Sequence, residues 1–334
     1  MSQDLQTAKT NNNTIPNTLL FKIKRYAKNE TFGVLLILIG LCAVLTIASK
    51  NFLTVDNLSS VTRAFSYIAI MAIGMTVVII TGGIDLSVGS IFAFAGVITA
   101  YAYSKMGITI PLAILLGIIG GIVCGLANGL LINKANLPPF IASLGMMSVA
   151  RGLSYAITSG YPIPMPPKFN ILGQGVIFSI PYPVIYMIVL AVIFSILLNN
   201  TVFGRRVYAV GGSEEASRIS GINVERVKLV VYALSGFLAA ISGIVTTARL
   251  GVAQSTAGLG YELDVIAAVI IGGASMSGGR GNIFGTILGA AIMGVLRNGL
   301  ILLDVSAYWQ QAVIGLVIII AVTADQIRYK KKAV

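Results

Sequence analysis

The sequence predicts an all-α, polytopic membrane protein of about ten spans. Three observations predict it. Of 334 residues, 56% are hydrophobic and only 10% charged, where soluble domains carry about a quarter charged. The apolar residues fall into runs of the length that crosses about 30 Å of hydrocarbon at about 1.5 Å per residue. The basic residues gather in tails and between those runs instead of forming a soluble basic face. The formal net charge of +12 is therefore a signature of membrane topology, and no nucleic-acid partner is expected.

Residues 1–30 form a polar, Asn/Thr-rich tail that ends in the basic cluster Lys22, Lys24, Arg25 and Lys28. No cleavable signal peptide fits, because the first apolar run is followed by Lys50 and Asn51 with no small-residue cleavage site. A transmembrane unit then occupies 31–326, and 327–334 is a basic tail. Apolar runs between polar breaks mark candidate spans at 32–48, 67–81, 88–103, 110–132, 140–158, 182–198, 229–248, 263–271, 283–295 and 308–323. If they alternate from an inside N-terminus, the inner segments hold both tails, Lys134, the basic cluster of 199–228 and Arg280. The outer segments hold only Lys50, Arg63, Lys105, Lys168, Arg249 and Arg297. That asymmetry supports ten crossings with both termini cytoplasmic. Cys42 and Cys124 lie inside apolar runs and read as small buried hydrophobes.

Within the second run and its continuation, TGGIDLSVGS breaks the helix at Gly82 and Gly83, and Asp85 or Ser87 is placed to cap the next helix. The fifth run contains Arg151, an intramembrane charge expected to face protein or a pathway, with outward snorkelling as the alternative. The outer loop 159–183 has prolines at 162, 164, 166, 167, 181 and 183, which favour a stiff, extended surface. The segment 199–228 is the longest polar stretch after the tail. In it Ser213 is a good N-cap, Glu214 and Glu215 suit a helix start, and Gly221 suits its stop. One short capped helix, exposed to the cytoplasm, is expected there. Glu262 and Asp264 open the eighth run, within expected reach of Arg249 and Lys168. That run ends in a second glycine break, GGASMSGGRGN, at Gly272 and Gly273. Interrupted helices of this kind mark places where backbone lines a transport cavity, so Gly82, Gly83, Asp85, Arg151, Gly272 and Gly273 are the gating and pathway candidates.

The chain has no histidine, which removes the commonest metal ligand and the usual base of acyl transfer. No Gly-x-x-x-x-Gly-Lys-Ser/Thr loop occurs, and GGRGN carries Arg280 where that loop needs lysine. The polypeptide is expected to have no catalytic site, no metal and no cofactor. Transport energy would then come from a partner or from an ion gradient. A coupled carrier is expected to hold acids deep in the membrane, whereas Asp85, Glu262 and Asp264 all fall near predicted span ends; sodium held by carbonyls alone keeps that reading in play.

GGSEEASRISGINVERVK resembles the cytoplasmic coupling loop of ABC importer permeases, with Glu215, Ala216 and Gly221 at the spacing of the Glu-Ala-Ala, three residues, Gly motif. Ser217 stands in place of the second alanine. With TGGIDLSVGS, the stretch ARLGVAQSTAGLGYELDVIAAVIIGGASMSGGRGNIFGT and SAYWQQAVIG, the chain is similar to the ribose-type branch of sugar permeases over roughly 30–328. The resemblance implies a bacterial cell-membrane importer subunit for a sugar, ribose first, or for another monosaccharide, a nucleoside or a furanosyl signal. It implies a homodimer, a separate ATP-binding subunit docked on Ser213, Glu214, Glu215, Ala216 and Gly221, and an extracytoplasmic sugar-binding protein.

Overall fold

Residues 30–333 are described by a computed structural model, and within them the chain is almost wholly helical. The helices are α1 Glu30–Ala48, α2 Val55–Ile80, α3 Val88–Ser104, α4 Ile110–Lys134, α5 Pro139–Thr158, α6 Pro167–Gln174, α7 Tyr182–Asn200, α8 Val202–Gly212, α9 Glu214–Ile219, α10 Val224–Leu250, α11 Tyr261–Ile271, α12 Ile283–Leu302 and α13 Ala307–Ala333. Each predicted apolar run falls on one of them, 67–81 extending one residue past the end of α2. Seven are long and apolar enough to cross a membrane, and 88–104 and 308–323 are shorter apolar helices. This is a multi-pass membrane protein. The N-terminal basic cluster lies outside the described residues.

α2 forms the centre of the bundle. Of its most apolar stretch, 83% is buried by other helices, against 11% for α1. Both are apolar all round, which is the pattern of a helix that meets either core or lipid on every side. Small and hydroxylated residues separate the two cases. Gly74 lets α10 approach at Ser235 and Leu238, and Thr76 Oγ1 lies 2.6 Å from Thr286 Oγ1 of α12. Ser242 of α10 donates to the Tyr67 carbonyl at 2.8 Å. α4 and α10 approach closely enough for their backbones to touch: a Cβ at Gly125 would land on the Tyr232 carbonyl, and one at Gly236 on that of Gly121. Small residues at such contacts are what hold helices together where no hydrophobic gradient drives them.

The boundaries depart from the sequence reading in physically simple ways. α2 starts at Val55, well before the run at 67, because its polar first turns are satisfied locally: Thr54 accepts from the Asn57 amide, and Asn57 bonds Asn298 at 3.1 Å. α10 likewise starts at Val224, capped by Asn223, which accepts from Arg226 N at 2.9 Å. α11 has 11 residues, about 16 Å of helix, and spans only part of a bilayer.

The proline-rich loop 159–183 is not simply extended. Its paired prolines start α6, where Pro at the first helical position needs no amide donor. Two minimal antiparallel pairs flank it: β1 Ile163–Pro164 with β4 Val252–Ala253, and β2 Val176–Ile177 with β3 Ile180–Pro181. The polar stretch 199–228 also corrects the expectation of a single short helix. It holds two, α8 and α9, before α10 begins.

Candidate coupling and gating site

Ser213, in extended backbone at φ −161°, accepts a hydrogen bond from the Ala216 amide at 3.2 Å and so starts α9. The helix closes through Gly221 at φ +79°, with the Ile222 amide reaching back to the Ser217 carbonyl at 3.0 Å. That is a left-handed stop of the kind glycine supplies at low cost. Ser217 is buried, at 4% exposure, so its small size matters more than its hydroxyl. The two adjacent acids diverge. Glu214 turns toward the chain, 2.6 Å from Lys228 Nζ and 3.1 Å from Arg218, which also lies 3.6 Å from Glu225. The Lys228 hydrogen bond is the main cause that holds the Glu214 carboxyl below the usual glutamate range; partial burial opposes it and Arg218 reinforces it. Glu215 and Ala216 are exposed, as is Ile219 at 82%. Glu215, Ala216 and Ile219 thus lie on the open side of α9, opposite the ion pairs that fix its base.

The structure brings the two glycine breaks together, with α8 completing the junction. The Gly279 amide donates to the Ile80 carbonyl at the end of α2 at 2.8 Å. Gly278 lies against Gly82 N and Gly211 O, and a Cβ at Gly211 would collide with the Ile80 carbonyl. Tyr208 of α8 donates its hydroxyl to the Gly281 carbonyl at 2.8 Å. Gly82, Gly278 and Gly279 all have positive φ, so the turns need glycine for conformation as well as space. Gly83 lies against the Tyr232 hydroxyl, which bonds the Ile84 carbonyl at 3.2 Å. Gly272 packs on the Gly285 carbonyl, holding α11 against α12, and Gly273 turns the chain at φ +95°. Tyr208 and Gly211 were not identified from the sequence. The Gly-Gly pair ending an amphipathic stretch was the available signal.

Asp85 does not cap α3. Ser87 holds the N-cap position and makes no side-chain cap bond, while Asp85, fully buried, accepts from Ser87 N at 3.0 Å, Ser87 Oγ at 2.5 Å and Ser235 Oγ at 2.8 Å. Asn128 Nδ2 of α4 donates to Ser87 Oγ at 2.9 Å. The carboxylate thus ties the turn to α4 and α10, which is how a buried acid is made tolerable. Asp264 is also buried, and its partner is Arg297 at 2.6 Å, not Arg249 or Lys168. Side chains on a helix lean toward its N-terminus, so Arg297 of α12 reaches back to the first turn of α11, while Arg249 stacks over the Tyr67 ring. Asp85, in the turn after α2, and Asp264, in the first turn of α11, do lie near helix ends as the sequence suggests; what the sequence does not show is that helix packing buries both.

Arg151 does not snorkel outward. Its guanidinium donates to the carbonyls of Ser255 at 2.5 Å, Ala257 at 2.7 Å and Gly89 at 3.2 Å, so one side chain holds α5, α3 and the irregular segment before α11 together. Three sets of oxygens fit its five donors and its flat shape.

A family model described as "Branched-chain amino acid transport system / permease component" matches residues 57–322. The chain is 47% identical over 300 residues to the ribose import permease protein RbsC of Bacillus subtilis (strain 168), covering 89% of this chain and 93% of that one. It is 43% identical over 298 residues to the RbsC of Escherichia coli (strain K12), covering 87% and 92%. To the galactose/methyl galactoside import permease protein MglC of Haemophilus influenzae it is 37% identical over 324 residues, covering 91% and 96%.

Proposed function

The chain belongs to the branched-chain amino acid transport system permease component family, and we propose that it is the membrane subunit of an ATP-driven sugar importer that carries ribose. The similarity to ribose import permeases over most of the chain supports the cargo. One observation carries the mechanism: the exposed, capped α9 is joined through α8 to both glycine breaks. A second copy of the chain completes the pathway, a cytoplasmic ATP-binding subunit grips α9 at Glu215, Ala216 and Ile219, and a binding protein delivers sugar from outside. Both termini face the cytoplasm.

When the ATPase dimer closes, α9 is pushed. Its ion pairs to Lys228 and Glu225 pass the push to α10, and the Ser213 junction passes it to α8. Tyr208 and Gly211 then shift the two turns as one body. Packed helices move between discrete arrangements rather than deforming smoothly, so a small displacement at α9 is enough to switch the access side.

Reconstitution tests this reading. An ATPase subunit should remain bound through purification, and ribose uptake into proteoliposomes should stop without ATP and survive an uncoupler. Uptake that needs no ATP and collapses with the uncoupler would establish an ion-coupled carrier instead. Stimulation by galactose but not ribose would move the cargo toward that of the MglC relative.

A further inference from the structure

We propose that the cleft beside α9 is the space through which the coupling stroke moves, and that its closing drives α5, giving the partner ATPase a second lever on the first glycine break. The cleft has a volume of about 300 Å³. One wall is the turn 136–139 between α4 and α5; the other is Glu214 and Arg218 of α9 with Glu225 and Lys228 of α10. Glu214 pairs with Lys228, and Arg218 with Glu225, so α9 and the start of α10 form a single wall. Among the described residues, no hydrogen bond or ion pair joins 136–139 to α9 across the gap.

The floor of the cleft is fixed. Asn133 Nδ2, near the end of α4, donates to the Glu225 carbonyl at 2.7 Å, and Gly129 brings α4 against the backbone of Leu229. Close-packed helices do not compress, so a rigid displacement needs room already present on one side. α9 packs on α8 and α10, and toward 136–139 it faces the cleft, so a push tilts its wall about Asn133 until it bears on the turn. That turn is stiff. Asn136 holds φ +52°, the Leu137 amide reaches back to the Leu131 carbonyl, and Pro138 and Pro139 fix the entry to α5.

Four residues past Pro139, the buried Ser143 donates to the Ile84 carbonyl at 3.3 Å, a bond it shares with the Phe140 carbonyl. α8 grips the other end of the same break, where a Cβ at Gly211 would meet the Ile80 carbonyl. The turn after α2 is thus held at Ile80 by α8 and at Ile84 by α5. Pushed at one end it would twist; pushed at both it moves as a body. Ser143 is a positioning residue in this scheme and touches no solute.

The proposal rests on the importer reading for its motor, while the cleft and the route to α5 come from these residues. The test uses the assembled transporter with Cys42→Ser and Cys124→Ala as background, carrying Asn136→Cys in the cleft or Ala135→Cys as an exposed control outside it. Each is alkylated to completion with N-methylmaleimide or with the far bulkier pyrene maleimide. The bulky adduct at position 136 should wedge the cleft open and cut ribose uptake about tenfold while the ATPase subunit stays bound; the small adduct, and either adduct at position 135, should change uptake little. Uptake indifferent to the bulky adduct at position 136 would overturn the proposal, because the cleft then never closes. So would release of the ATPase subunit by that adduct, which would make the cleft a docking surface. Ser143→Ala tests the route: uptake per ATP should fall about fivefold, the scale of one hydrogen bond, with the ATPase retained. Unchanged coupling would remove α5 from the mechanism. If the unmodified complex carries galactose and not ribose, the cargo assignment fails, and the same wedge comparison made on galactose still decides the cleft. Uptake without ATP would refute the importer reading and the stroke with it.

Discussion

Gly221 sits at φ +79° with open space around its Cα, so a side chain there is resisted by backbone conformation and not by crowding. Gly221→Val should cost about 1–2 kcal/mol locally, more than Gly221→Ala, because the left-handed region is hardest on β-branched residues. Transport per ATP hydrolysed should fall while membrane insertion is unchanged. Its neighbours divide the work: Glu214 anchors the helix and Glu215 faces outward, so Glu215→Lys should weaken ATPase retention and Glu214→Gln should loosen α9 on its base. Glu214 also sets a pH dependence. A carboxyl held below its ordinary value contributes its full anchoring above that value, about 4.3, and loses it as pH falls through the lowered one. Amide protection factors in α9, corrected for the intrinsic pH dependence of exchange, should be flat between about pH 6 and 8 and fall below about pH 4. The pair is partly exposed, so the effect is modest, on the order of 1 kcal/mol or less.

At the scale of elements, the junction of α8 with the two glycine breaks is the feature to test. A Cβ at Gly211 meets backbone, which cannot rotate aside as a side chain would. Gly211→Val should therefore separate α8 from α2, leaving ATP hydrolysis running without ribose uptake, whereas Tyr208→Phe, which loses one hydrogen bond, should lower the coupling ratio only partly. Gly125→Val in α4 tests packing alone. It would force α4 from α10 and should lower the detergent melting temperature, at a cost of about 1–3 kcal/mol for an overpacked contact. The elements were unevenly legible. Spans such as α4 and α7 could be read from apolarity, and α9 from Ser213, the two acids and Gly221. α8 was not legible because it lies in a polar stretch with three glycines, which disfavour helix by propensity; Gly204 and Gly211 instead allow close approach to Leu198 and Ile80. The early start of α2 was hidden because its first turns are polar and depend on Asn298, far along the chain, for satisfaction.

For the whole molecule, a passive gate worked from the cytoplasm predicts that vesicles containing this chain without its ATPase should equilibrate solute at most and never concentrate it. Accumulation against a gradient by the chain alone would refute that arrangement. The sequence by itself determined the class, the apolar runs, the capped helix and the two glycine breaks, because each is set by local composition, spacing or conformational preference. Tertiary structure alone decided that the two breaks meet at α8, that Asp85 is held by Ser87 and Ser235 in place of capping α3, and that Arg297 is the partner of Asp264. It also decided that Arg151 is used on the carbonyls of the irregular segment before α11. Those outcomes depend on which helices touch. In a chain where nearly every face is apolar, hydropathy does not distinguish a neighbouring helix from lipid; the small residues and buried polar groups select the contacts, and they do so only once the helices are assembled.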